Sequence, residues 1–351
     1  MLSNKKKNAL IAVALILIIV GGLYITLKLK KGGNNSSSPP TVIETATTTA
    51  QINSNNFNVS GQTYSSTSSN SSTANLLNGM TMTFDDEFNT FSRYVDANGN
   101  VTCDPGGTGT WQTVYYFCSR TNPGNYEAEV YTDPNFIAYL KNEPVSTAQT
   151  DANDPFSINS GVLSIEATPS TPQILSAVGS WAQYTSGIIT TQFSFSQEYG
   201  YFEMRAELPA GAGLWPAFWL LPTNKSWPPE IDALEAFGAQ NPQGDGGLTM
   251  IHYASHALEA SDNCGGWYNV DTNITAGFHT YGVNIEPSGI TYYFDGNAYA
   301  SCPANPEINQ PFYMLINLAV GSNASWPGSP ASTNTWPAYL KIDYVRAYKN
   351  N

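Results

Sequence analysis

Residues Tyr201–Leu208 alternate apolar and polar side chains without interruption, and that period of two decides what the segment can become. Phe202, Met204, Ala206 and Leu208 fall on one face, with Tyr201, Glu203, Arg205 and Glu207 on the other. Only an extended strand sorts them this way; a helix would mix the two sets around its axis. The same texture fills the chain from residue 79 onward, as short alternating runs broken by Gly, Pro, Asn and Asp. Leu340, Ile342 and Tyr344 alternate with Lys341 and Asp343 near the end. The stretches 285–290 and 295–297 read as hairpin turns. In this region only Asn135–Lys141 has a helical pattern, and no repeat of fixed period is visible, which removes propellers and solenoids. The fold class that follows is all-β, an antiparallel β-sandwich.

Ahead of that region the chain changes character. Ala9 to Leu27 are uncharged and mostly apolar, enough to cross a hydrocarbon core as a helix, with lysines at both ends. No small-residue cleavage site precedes the Lys28–Lys31 cluster, so an uncleaved signal anchor is favoured over a cleaved, secreted form. Residues 32–78 are rich in Ser, Thr, Asn and Gly and hold almost no charge, the composition of a stalk that buries too little to fold. The expected organisation is therefore 1–31 as transmembrane anchor, 32–78 as disordered stalk and 79–351 as the folded domain. A single-pass membrane protein with its domain outside the cell follows from this, or a secreted one if the segment is cleaved.

Charge excludes one class of partner. From residue 78 onward eight Lys and Arg face 26 Asp and Glu, a balance of −18. Such a surface repels phosphate backbones, so no nucleic-acid binding is expected. Four cysteines, Cys103, Cys118, Cys264 and Cys302, form no CxxC pair, and three histidines give little for a zinc site. An even count beyond a membrane segment suggests two disulfides. Proximity pairs Cys103 with Cys118 and Cys264 with Cys302, although four cysteines allow three connectivities.

The segment Pro228-Pro229-Glu230-Ile231-Asp232-Ala233-Leu234-Glu235 places three carboxylates within six residues. On a regular strand Glu230 and Asp232 share a face and Glu235 points the other way. A bulge at Ala233–Leu234 would bring Glu235 back, leaving two acids able to flank one glycosidic bond with Asp232 between them. Spacing alone leaves a helix N-terminus equally open, because a Pro-Pro pair followed by acids also suits a helix's first turn.

The spacing matches E-[ILV]-D-x-x-E, the bulged motif of the family-16 glycoside hydrolases, which this chain resembles over roughly residues 80–349. Tyr199–Arg205, Gly213–Leu220, Phe278–Gly282 and Asp343–Tyr348 match in consistent order. The resemblance is strongest to bacterial laminarinase-like and exopolysaccharide-cleaving endo-β-glucanases, and it implies a concanavalin-like jelly roll. It also implies retaining, endo-acting hydrolysis of β-1,3 or mixed β-1,3/1,4 linkages, with Glu230 as nucleophile, Asp232 as its electrostatic helper and Glu235 as acid/base. His252 falls near the acid/base, Trp215 and Trp219 fall where indoles stack on sugars, and Asn125, Glu203 and Arg205 fall at positions that hydrogen-bond sugar hydroxyls. Glu129 stands where many relatives carry Gln, and Ile188 where many carry Arg. The resemblance implies no catalytic cofactor, a structural calcium held by Glu87 and Asp343, a polysaccharide partner and a monomer. Transglycosylation by the same acids and β-glucan binding without catalysis are the alternative functions.

Overall fold

The alternating segments assemble into two facing sheets. The computed structural model describes residues 76–115, 117–134, 136 and 154–351. It also describes Asn58–Val59 and Gln62–Thr63, an antiparallel two-strand ladder in a separate unit. The apolar segment 9–27 and the helical pattern at Asn135–Lys141, apart from Phe136, lie outside the described residues. Among those described, no helix is long and apolar enough to cross a membrane.

In chain order the strands of the larger unit are β1 (Met80–Asp86), β2 (Glu129–Tyr131), β3 (Phe156–Asn159), β4 (Val162–Pro169), β5 (Tyr184–Ser186), β6 (Ile188–Thr190), β7 (Gly200–Glu207) and β8 (Leu214–Pro222). There follow β9 (Glu230–Glu235), β10 (Met250–His256), β11 (Cys264–Asn269), β12 (His279–Glu286), β13 (Gly289–Phe294), β14 (Asn297–Pro303), β15 (Phe312–Val320) and β16 (Ala338–Asn350). One sheet has six strands in the order β11-β10-β9-β8-β15-β6. The other has ten, in the order β14-β13-β12-β7-β16-β4-β5-β2, with β1 added beside β16 and β3 beside β4. Every pairing is antiparallel except β2 with β5. This is the all-β sandwich that the alternation calls for.

The core lies between the sheets. Phe202, Met204 and Ala206 of β7 meet Phe218 and Leu220 of β8, Ile316 and Leu318 of β15, and Leu340 and Ile342 of β16 in one cluster. Burial of each such side chain is worth about 1.5–3 kcal/mol, so the period of two is enforced by the core itself. Two-residue turns close both expected hairpins, at Glu286↔Gly289 and Phe294↔Asn297. In the second turn Asp295 and Gly296 both have positive φ, 45° and 74°, as a type I′ turn demands.

One helix was absent from the sequence reading. It is α1 (Pro172–Val178), where the Thr171 side chain caps the Ile174 N–H at 3.3 Å and Pro172 occupies the first turn. The Thr-Pro pair is an N-terminal signal, and seven residues were too few to display a period. Both disulfides join the cysteines paired by proximity. Cys264–Cys302 ties β11, an edge of the six-stranded sheet, to β14, an edge of the ten-stranded one.

Candidate active site

A bulge on β9 builds the site. Asp232 stands opposite Ala254 and Glu235 opposite His252, so three steps on β9 match two on β10. On the other side the register slips between Phe218 and Trp219. Ile231, Ala233 and Leu234 consequently all join the core, while Glu230, Asp232 and Glu235 line a pocket on the outer face of the same sheet. The strand reading of this segment holds, and the helix does not.

Each outer carboxylate is held by one indole and approached by one imidazole. Trp227 Nε1 donates to Glu230 Oε2 at 2.8 Å, and His256 Nε2 lies 3.9 Å from Glu230 Oε1 and 3.1 Å from Asp232 Oδ2. Trp215 Nε1 donates to Glu235 Oε1 at 3.1 Å, and His252 Nδ1 lies 3.0 Å from Glu235 Oε2. The His252 ring packs against Trp267 and Trp326, with centroids 5.2 and 5.0 Å away. Burial, reinforced by the Asp232 charge, pushes Glu230 up to about 8 against the pull of His256 and Trp227. Glu235 is raised by the same two causes and held back by His252. Burial pulls the His256 imidazole down, but Asp232, Glu230 and Glu235 together push it up to about 9.

Trp215, Trp219 and Asn125 line the pocket. Trp215 is only 8% exposed and packs against Phe237, which leaves little ring surface for a sugar. Trp219 is partly open, and its Nε1 donates to Asn317 Oδ1 at 2.8 Å. Trp227, passed over in the sequence, is 60% exposed beside Glu230 and offers the larger platform. His256 was passed over as well, although it shares a face of β10 with His252, as residues four apart on a strand must.

Glu203 and Arg205 require correction. They sit on β7, which lies between β12 and β16 in the ten-stranded sheet, so their face points away from the pocket. Glu203 accepts hydrogen bonds from the Tyr201 and Tyr344 hydroxyls at 2.7 and 2.8 Å, and Arg205 pairs with Asp343. Alternation put them on a polar face without saying which sheet owned it.

The pair expected to hold calcium is differently engaged. Asp343 pairs with Arg205 and Glu87 with Arg346, so each carboxylate already has a guanidinium. Asp85 joins Glu87 at Arg346 but not Asp343, and among the described residues no three carboxylates or histidines come together here closely enough to hold an ion. Calcium takes six to eight oxygen ligands, and these side chains as they stand do not form such a cage.

Known proteins resemble this chain in sequence and in fold. Endo-1,3-1,4-beta-glycanase ExsH of Rhizobium meliloti (strain 1021) is 36% identical over 272 residues, 77% of this chain and 52% of its own. EglC of the same organism, also an endo-1,3-1,4-beta-glycanase, is 37% identical over the same shares. The chain thus spans about half the length of the curated relatives it matches. The laminarinase catalytic domain from Thermotoga maritima MSB8 superposes with a TM-score of 0.58 at 26% identity, covering 78% of this chain and 99% of that one. Residues 143–346 match the sequence family described as Glycosyl hydrolases family 16. With the bulged E-I-D-A-L-E strand set in a two-sheet sandwich, the chain belongs to glycosyl hydrolase family 16.

Proposed function

We propose that the chain is an endo-acting hydrolase of β-1,3 or mixed β-1,3/1,4 glucan, working with retention at the anomeric carbon. The observation that carries this is the bulge, which sets Glu230, Asp232 and Glu235 on one aromatic-walled face. Glu235 gives its proton to the glycosidic oxygen while Glu230 attacks the anomeric carbon, breaking the C–O bond and forming a glycosyl ester. Glu235 then takes a proton from water, which hydrolyses the ester and restores both groups. Burial and the Asp232 charge raise Glu235, the direction a general acid needs. His252 Nδ1 can accept from the acid or donate to the carboxylate, which suits a group that releases a proton and later regains one. At Glu230 burial and the Asp232 charge oppose ionisation, while the His256 cation and the Trp227 N–H favour the ionised nucleophile. Glu230 and Glu235 both feel the Asp232 charge, so a proton taken up there belongs to the pair rather than to one residue.

The linkage reading is supported by relatives named as endo-1,3-1,4-beta-glycanases and as laminarinase. Two disulfides support an oxidising location outside the cytoplasm, with residues 9–27 as the anchor. The test incubates laminarin and lichenan with the wild type, Glu230→Gln and Glu235→Ala, sizes the products and follows the anomeric signal of the first one formed. Glu230→Gln should abolish turnover in a folded protein, and azide should rescue Glu235→Ala as a glycosyl azide. Activity of Glu230→Gln within tenfold of wild type, or an inverted first product, would reject the assignment.

A further inference from the structure

In the pocket wall Glu127, just before β2, and Glu129, the first residue of β2, are two residues apart, and neither carboxyl makes a salt bridge among the described residues. Glu127 lines the pocket, and Glu129 lies beneath it, fully buried. No salt bridge among the described residues reaches either one; the nearby Arg120 pairs with Asp133. The Asn122 N–H donates to Glu127 Oε2 and the Asn125 amide to Glu127 Oε1, both at 3.1 Å. The Val320 N–H donates to Glu129 Oε2 at 2.7 Å, while Glu129 Oε1 is buried and meets no donor. A bare carboxylate oxygen in a dry site is costly, and two adjacent buried carboxylates are costlier. A protonated Glu129 that donates to Glu127 removes both penalties.

We propose that Glu127 and Glu129 hold one proton between them, carried on Glu129 and donated to Glu127, leaving Glu127 to accept a hydroxyl of a neutral sugar bound in the pocket. This rests on the reading of the pocket as a saccharide site. The other groups facing the pair are neutral or negative. They are the Asn122 and Asn125 loop, the phenols of Tyr115 and Tyr131, Asn317, whose Nδ2 donates to the Tyr131 hydroxyl at 3.0 Å, and Glu230 across the pocket. Burial, then the Glu127 charge, pushes Glu129 well above the ordinary carboxylate range. Burial raises Glu127 too, with the bond from Glu129 and those from Asn125 and Asn122 pulling it back. A sugar carrying sulfate or carboxylate here would meet an uncompensated negative charge and be refused.

Glu129→Gln keeps the shape and a donor toward Glu127 but cannot titrate. A raised folded-state value means that the folded wild type keeps a proton the unfolded chain has released. Wild-type stability from this group therefore falls as pH rises above the unfolded value toward the folded one. Melted side by side from pH 5 to 8, Glu129→Gln should gain on the wild type by roughly 3 °C or more across the range. A gap that stays constant with pH overturns the shared proton, and this arm needs no activity, so it is separable from the failure of the hydrolase reading. In the second arm, on a neutral laminari-oligosaccharide, Glu127→Gln should raise KM about tenfold with kcat far less affected, the loss of one charge-assisted hydrogen bond. An unchanged KM in Glu127→Gln overturns the hydroxyl contact.

Discussion

Although burial opposes it, the proton on His256 is held to about pH 9 by Asp232, Glu230 and Glu235, so through neutral pH a cation stands 3.9 Å from Glu230. An opposite charge at that range favours the ionised carboxylate. Replacing it in His256→Gln should move the acid limb of the kcat/KM profile upward by about one pH unit, cutting activity on that limb roughly tenfold. An unmoved limb would mean that the imidazole is neutral or irrelevant to Glu230. Individual residues were unevenly legible. The three acids stood out by their spacing, and Trp215 and Trp219 by their shared parity. His256 and Trp227 did not, because their roles depend on which strand crosses β9 and on how the loop before it folds back. Glu203 and Arg205 were legible as a polar face and misassigned as a sugar-binding one, since parity carries no label for the sheet.

At the scale of the element, the β9 bulge converts a spacing of three into a shared face. Ala233 is the added residue: it is buried in the core beside Leu234, where a regular strand would allow only one of the two. Deleting Ala233 leaves Glu230-Ile231-Asp232-Leu234-Glu235, which a regular strand sorts with Ile231 and Leu234 toward the core and all three acids still on the pocket face. We expect the deletion variant to stay folded and to keep turnover within about 100-fold of the wild type, the loss coming from the shifted register rather than from a missing acid. Complete loss of turnover in a folded deletion variant would mean that the bulge sets the distance between Glu230 and Glu235, and not only their shared face. The strand could not be told from a helix by spacing, because Ile231 and Leu234 are three apart in either case. Alternation at Tyr201–Leu208 was unambiguous because its four apolar residues all face one core.

For the whole molecule, the −18 balance after residue 77 meets a pocket walled by carboxylates, indoles and amides, with no Lys or Arg among its lining residues. Affinity for a neutral glucan should then change less than about twofold between low salt and about 0.5 M, since no attractive charge pair is there to be screened. A steep loss with salt, or preference for a sulfated galactan, would contradict this picture. The covalent framework makes a separate prediction. Closing a 38-residue separation, Cys264–Cys302 is worth about 4 kcal/mol in the chain-entropy account. The double variant Cys264→Ala/Cys302→Ala should melt roughly 10 °C lower, and an unchanged Tm would mean that the two edges hold together without it. The strand it anchors, β11, borders β10, which carries His252 and His256 and in turn borders the three acids. Whoever makes this protein in a reducing bacterial cytoplasm should therefore meet two losses together. Soluble yield would fall because a pair of strand edges is left free to stick to other chains, and the fraction recovered would be less active per milligram. Moving synthesis to the periplasm, with nothing altered in the gene but its leader, should recover both.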